Sequence, residues 1–67
     1  MQDDEANAER YLDAASRYGK REDGCVPEIV KDRSANCWAI IWRNMDWFQV
    51  GDAEHFATKA EAEIALI

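Results

Sequence analysis

Three side chains in this sequence are the first candidates for catalysis or metal binding: one imidazole and two thiols. His55 is the sole histidine, and Cys25 and Cys37 are the sole cysteines. With one carboxylate added they have the donor atoms of a zinc site, and a thiol beside an imidazole is the pairing of a nucleophilic catalyst. Structural zinc ligands, however, usually come in pairs roughly two to four residues apart, and no two of these residues lie that close. We therefore predict no metal and no cofactor.

Catalysis is disfavoured by the rest of the sequence as well. The chain has three isolated glycines and no glycine-rich phosphate loop. His55 follows Asp52 and Glu54 in a predicted turn, and nothing indicates an activated thiolate or an oxyanion hole. We expect no catalytic residues and a protein that is not an enzyme. We also expect its two cysteines to be reduced and packed as small apolar side chains.

The first predicted element is a helix from residue 3 to residue 18. These residues favour helices, acidic side chains occupy the first turn, and Gly19 follows where a helix often ends. Apolar residues at spacings of three and four form one stripe that is expected to face the protein. The members of this stripe are Ala8, Tyr11, Leu12, Ala15 and Tyr18.

Short extended segments follow the helix. "CVPEIVKD" is predicted to lie at a sheet edge because Pro27 cannot donate to a strand ladder. "CWAIIWR", residues 37–43, is the clearest strand, and its apolar content on both faces indicates a central position. After a turn at "NMD", residues 47–50 ("WFQV") are predicted to return as a hairpin strand. His55 and Phe56 are predicted to form a short third crossing.

The final predicted element is a helix that begins after Thr58. Thr58 precedes Glu61 by three residues, the spacing of a capping box in which each side chain accepts a free backbone N–H. The side chains expected to pack on the sheet are Ala60, Ile64 and Ile67. The complete prediction is one α+β domain over residues 1–67, with an N-terminal helix, a three-stranded antiparallel sheet and a C-terminal helix.

Composition bears on location and partners. The 67 residues include 14 acidic and 8 basic side chains, for a net charge of −6. No segment approaches the roughly 20 apolar residues of a membrane span, and the first ten residues do not resemble a signal peptide. A cytoplasmic protein without a membrane partner is expected. Because DNA affinity depends on lysine and arginine contacts to phosphates, this acidity also disfavours direct nucleic-acid binding.

The C-terminal half nevertheless resembles one group of DNA-binding modules. "WAIIWRNMDWFQVGDAEHFATKAEAEIAL" is similar to the sheet-plus-helix modules of phage-type integrase arms and AP2-like domains, in which "F-x-T-x-x-E-A" opens the last helix. In those families basic residues on the sheet contact DNA, whereas the matching hairpin here has only Arg43 as a basic residue. A DNA-binding accessory module is therefore an alternative, and it requires basic residues to converge on one face. Those residues are Arg17, Lys20, Arg21, Arg33 and Arg43.

In type, although not in any motif, the chain resembles the compact inhibitors that phages and mobile elements use against host defence, including anti-CRISPR proteins. The resemblance rests on small size, acidity, an aromatic hairpin and the lack of a catalytic set. It implies a non-enzymatic inhibitor that binds a host protein or ribonucleoprotein complex with a basic surface. Such binding would block nucleic-acid access or effector recruitment.

Under this interpretation the partner-binding residues are acidic, with Trp47 as an exposed aromatic anchor at the hairpin tip. A further alternative is an antitoxin or assembly subunit that pairs with a partner or with a second copy of the chain through the edge near Pro27. The predicted partner-binding residues are Asp3, Asp4, Glu5, Glu9, Asp13, Asp46, Trp47, Asp52 and Glu54.

Overall fold

The computed structural model describes residues 4–67, with side chains from residue 5 onward. It contains two helices and one antiparallel sheet whose strand order is β1-β2-β3. This is the predicted α+β fold, with the helices before and after the strands. The elements are α1 (Asp4–Tyr18), β1 (Val26–Asp32), β2 (Cys37–Arg43), β3 (Glu54–Phe56) and α2 (Lys59–Ala65).

Strand β2 is the centre of the sheet, as predicted. Its whole length pairs with β1, from Val26 opposite Arg43 to Asp32 opposite Cys37. Consecutive strand residues point to opposite faces of a sheet. Ala39 and the adjacent Ile40 are only 3% and 1% exposed, so both faces of β2 are covered at this point.

The segment between β2 and β3 differs from the prediction. Residues 47–50 do not form a strand, because only Gln49 makes a bridge, opposite Arg43. The backbone at Trp47 has a φ of 68°, which interrupts an extended strand. Pairing with β2 resumes at Glu54 in the short strand β3, and the predicted third crossing at His55 and Phe56 lies within it.

Helix α1 faces the protein with a different stripe from the predicted one. The buried positions are Asn7, Tyr11 and Ala14, whereas Leu12 is 64% exposed. Tyr11 and Ala14 pack with Val26 of β1. The Tyr11 hydroxyl also donates a hydrogen bond to the Gly24 carbonyl, which fixes the rotation of the helix. Of the predicted stripe, Tyr11 is buried and Ala15 half-buried, and Ala8, Leu12 and Tyr18 are exposed.

Helix α2 also buries other residues than those predicted. Ala62 is 0% exposed and Leu66 is half-buried, and these two residues lie one turn apart. Ile64 is 65% exposed and Ile67 fully exposed, so their predicted packing on the sheet is wrong, as is that of Ala60. The helix follows β3 after only two residues, so the end of the strand and not the apolar pattern sets which side faces inward.

The predicted cap at the start of α2 is present in part. The Thr58 hydroxyl accepts a hydrogen bond from the Glu61 backbone N–H at 3.1 Å. The Glu61 carboxylate accepts from the N–H of Ala57, at 3.2 Å, and not from that of Thr58. Both bonds still tie the chain just before α2 to its first turn.

Candidate functional site

The acidic residues of α1 form one exposed row. Glu5, Glu9 and Asp13 are exposed and follow one another at intervals of four residues, which places them on one side of the helix. Asp4 begins the helix, but its side chain lies outside the described part of the structure, and the predicted contact at Asp3 lies outside the described residues altogether. An extended acidic strip is therefore available along α1.

A second exposed surface is the β2–β3 loop, which comprises residues 44–53. Met45 is 72% exposed, Phe48 57% and Val50 36%, so three large apolar side chains reach solvent within six residues. Asp46 and Asp52 lie in the same loop and are also exposed, and Glu54 follows at the start of β3. The sequence interpretation missed Met45 and Phe48 because it treated this segment as half of a regular hairpin.

Side-chain hydrogen bonds from Asn44 give this loop a defined shape. The Asn44 side-chain oxygen accepts from the backbone N–H groups of Asp46 and Phe48, both at 3.0 Å. The Asn44 backbone N–H donates to the Phe48 carbonyl at 3.0 Å. The exposed apolar side chains therefore project from an ordered turn, and they retain little backbone freedom to lose on binding.

Trp47 is not the exposed anchor that the sequence predicted. Its side chain is half-buried and packs against the cluster formed by Tyr11, Ala14 and Val26. The Arg43 guanidinium lies 5.6 Å from the centroid of its ring. The left-handed backbone at Trp47 turns this side chain toward α1, which leaves its neighbours in the loop to contact solvent.

The five basic residues do not all lie together. Arg17, Arg21 and Arg43 each lie within 3.2 Å of a carboxylate, from Asp13, Asp23 and Glu28 respectively. Lys20 and Arg21 precede β1, whereas Arg33 follows it. A strand of this length spans about 20 Å at roughly 3.3 Å per residue. Arg33 therefore lies at the opposite end of the sheet from Lys20 and Arg21.

A groove of about 380 Å³ lies between α1, β1 and α2. Its ionic side chains include two exposed pairs of opposite charge, Arg17 with Asp13 at 3.2 Å and Lys59 with Glu63 at 3.9 Å. No histidine, cysteine or serine lines it, so it has neither an imidazole base nor a thiol or serine hydroxyl nucleophile. Its lining is Arg10, Asp13, Ala14, Arg17, Tyr18, Pro27, Glu28, Ile29, Trp47, Lys59 and Glu63.

A cluster of three potential metal ligands lies at the other end of the sheet. Asp32, Cys37 and His55 each place one donor atom within 4.8 Å of the others. Asp32 Oδ1 accepts hydrogen bonds from the Ser34 hydroxyl and from the N–H groups of Ser34 and Ala35. The bond from the Ser34 hydroxyl is the main cause that lowers the pKa of Asp32 below its ordinary value. Its carboxylate is thereby kept ionised.

Cys25 does not belong to this cluster, although by residue type it is a possible zinc ligand, as Cys37 and His55 are. It lies just before β1 and is 3% exposed, whereas Cys37 is opposite the last residue of that strand. Burial raises the pKa of the Cys25 thiol, which keeps the thiol neutral. Both thiols are free in the structure. Only Cys25 is packed as a core side chain, because Cys37 is half-buried.

Comparisons of the chain with protein-family models, curated proteins and solved structures give no match. Within residues 4–67, neither helix combines the length and the apolar character needed to cross a membrane. Two surfaces of residues 4–67 carry exposed side chains that the fold itself does not use: the β2–β3 loop and the cluster at Asp32.

Proposed function

We propose that this chain is a non-enzymatic, protein-binding inhibitor of the anti-CRISPR type, which binds a basic surface of a host protein or ribonucleoprotein complex. Bound there, it blocks nucleic-acid access or effector recruitment in the cytoplasm. The observation that carries the proposal is the β2–β3 loop, in which Met45 and Phe48 are exposed beside Asp46 and Asp52. No catalytic residue, metal or cofactor takes part in this activity.

The apolar part of the loop supplies affinity. Exposed large apolar side chains are common singly, but several adjacent ones rimmed by polar residues are typical of protein interfaces. Met45 and Phe48 are 72% and 57% exposed, and burial of their apolar area is worth roughly 25 cal/mol per Å². Because Asn44 already orders the turn, little of this free energy is lost to fixing the backbone.

The acidic part of the surface selects the partner. Asp46 and Asp52 are exposed in the same loop as the apolar side chains, Glu54 follows directly after it, and the whole chain has a net charge of −6. A basic surface on the partner matches this potential, which speeds encounter and excludes acidic competitors. The exposed residues Glu5 and Glu9 on α1 offer a second acidic contact, and the row continues to Asp13, which is paired with Arg17 at 3.2 Å.

Direct DNA binding has less support as a function. Three of the five arginines and lysines that it requires are already neutralised by carboxylates at 3.2 Å or less. Arg33 lies at the opposite end of β1 from the basic residues that precede the strand. Cations that are paired with carboxylates give few phosphate contacts, and phosphate contacts provide most of nonspecific DNA affinity.

The test uses the immobilised chain to capture a partner from host extract, with variants that separate the two parts of the surface. The double variant Met45→Ser with Phe48→Ser removes the apolar contacts. A triple variant, Asp46→Asn with Asp52→Asn and Glu54→Gln, removes the acidic ones. Ile64→Ser is the matched control, because Ile64 is also a large exposed apolar side chain, at 65%, but lies in α2.

The apolar double variant is expected to lose about tenfold or more in affinity for the captured protein, equivalent to about 1.4 kcal/mol. The acidic variant is expected to slow association and to reduce its dependence on salt, whereas the Ile64 variant binds as the wild type. Added wild-type chain should also lower the partner's binding of nucleic acid or of its effector. Capture that is insensitive to both surface variants, or salt-sensitive retention of the chain itself on DNA, would contradict the proposal.

A further inference from the structure

Three strands bring an oxygen, a sulfur and a nitrogen ligand together on one face of the sheet. Asp32 ends β1 and is directly opposite Cys37, which begins β2. His55 is opposite Ala39, two residues after Cys37 in β2. Residues directly opposite each other, and residues two apart on one strand, share a face. The side chains of Asp32, Cys37 and His55 therefore project from the same side.

The distances are close to those of a metal site. His55 Nε2 lies 3.7 Å from Asp32 Oδ2, and the three donor atoms all lie within 4.8 Å of one another. Tetrahedral zinc with bonds of about 2.0–2.3 Å separates its donor atoms by roughly 3.3–3.8 Å. Strand pairing holds the backbones of all three residues in place. Small rotations of the Cys37 and His55 side chains would then bring the donor atoms to that spacing.

The neighbouring groups support coordination by Asp32. Its Oδ1 is held by the N–H groups and the hydroxyl of the turn that follows β1, whereas Oδ2 faces His55 Nε2 at 3.7 Å. Outer hydrogen bonds of this kind orient a ligating carboxylate. The His55 and Asp32 side chains are 54% and 31% exposed, so an ion and a water molecule can reach the cluster from solvent.

We propose that Asp32, Cys37 and His55 form a zinc-binding site with three protein ligands and a water molecule in the fourth position. A mixed set of thiolate, imidazole and carboxylate donors suits Zn²⁺ better than Mg²⁺ or Ca²⁺, which prefer oxygen alone. Such a site would join all three strands at one end of the sheet. None of its ligands belongs to the proposed partner-binding surface, and His55 directly follows Glu54 of that surface.

The experiment is a titration of the reduced chain, without a polyhistidine tag, with Co²⁺ as a spectroscopic probe for Zn²⁺. The expected result is one Co²⁺ per chain, with visible bands of four-coordinate cobalt and a thiolate-to-cobalt charge-transfer band in the near ultraviolet. Zn²⁺ should then displace Co²⁺ and abolish these bands. Circular dichroism of every variant checks that the fold is retained.

Three variants test the ligands. Cys37→Ser should abolish the charge-transfer band although the second thiol, Cys25, remains. His55→Gln and Asp32→Asn should each weaken Co²⁺ binding about tenfold or more. Glu22→Gln is the control for the loss of one negative charge, because Glu22 is exposed and lies outside both proposed sites, and it should bind Co²⁺ as the wild type does. Because His55 is half-exposed, its substitution is expected to leave the fold intact and so remains decisive if another variant unfolds.

Other outcomes would overturn the proposal. These are no cobalt bands in the wild type, an affinity unchanged by His55→Gln, or a charge-transfer band that survives Cys37→Ser. A stoichiometry of one metal per two chains would also overturn it, because the fourth ligand would then come from a second copy and not from water.

Discussion

Arg43 binds Glu28 across the β1–β2 pair through two of its nitrogens. Nε and Nη2 donate to the same carboxylate oxygen at 3.2 and 3.0 Å. The third nitrogen, Nη1, donates to the Trp47 carbonyl at 3.0 Å. One side chain thus joins both strands to the β2–β3 loop and supports the turn that exposes Met45 and Phe48.

The Arg43–Glu28 pair gives the first stability prediction. Arg43→Met is expected to lower the free energy of unfolding by about 1–3 kcal/mol, because it leaves a half-buried carboxylate and the Trp47 carbonyl without their donors. The Arg43 and Glu28 side chains are only 23% and 29% exposed. The midpoint of urea unfolding measures the effect. The control is Arg17→Met, whose pair with Asp13 is 68% and 65% exposed and is worth at most about 0.5 kcal/mol. Equal losses in the two variants would contradict the role assigned to Arg43.

The cap of α2 gives the second prediction. Thr58→Ala removes the acceptor for the Glu61 N–H and is expected to cost about 1 kcal/mol. The helix has only seven residues, so it has little intrinsic stability and depends on its cap and on the packing of Ala62. Amide hydrogen exchange in α2 should accelerate more than exchange in β2. Thr58→Ser keeps a hydroxyl at this position and should retain most of the protection; equal acceleration in both variants would count against the cap.

The third prediction concerns acid stability at Asp23. The Arg21 side chain and then the Cys25 N–H donate hydrogen bonds to this carboxylate, and they lower its pKa well below the ordinary range. A carboxylate whose folded pKa is depressed stabilises the fold above its unfolded pKa of about 3.9, and this contribution is lost as pH falls toward the folded value. Urea midpoints should therefore fall with pH below about pH 4, and Asp23→Asn should flatten that slope.

The control for acid stability is Asp52→Asn. Asp52 is exposed in the β2–β3 loop and makes no hydrogen bond or ion pair within residues 4–67 of the structure. Its variant should keep the wild-type slope of midpoint against pH. A slope that is unchanged in Asp23→Asn would show that this carboxylate has no part in the acid sensitivity.

Much of the fold could be predicted because it depends on local patterns. The helix-forming residues before Gly19, the aromatic and β-branched strand at residues 37–43 and the Thr58 cap are all properties of neighbouring residues. The faces of the two helices could not be predicted in this way. In α1 the bond from Tyr11 to Gly24 favours burial of Asn7 over Leu12, and this contact spans 13 residues.

The candidate sites were less predictable than the fold. The turn at "RSAN", residues 33–36, joins β1 to β2 and places Asp32 opposite Cys37, so the pairing of two of the three ligands could be predicted from the sequence. His55 joins only through the register of β3 on β2, which an irregular loop of ten residues sets. In that loop, the left-handed backbone of Trp47 turns its side chain inward, contrary to the predicted exposure, while Phe48 is exposed.

By itself the sequence determined the element order, the central strand, the helix cap and the acidic charge, because each depends on residue type and on spacings of a few positions. Tertiary structure alone decided that Trp47 packs inward while Met45 and Phe48 reach solvent, and that Asp32, Cys37 and His55 meet. These outcomes depend on strand register and on contacts between distant residues. A shift of one residue in pairing would move each strand side chain to the other face.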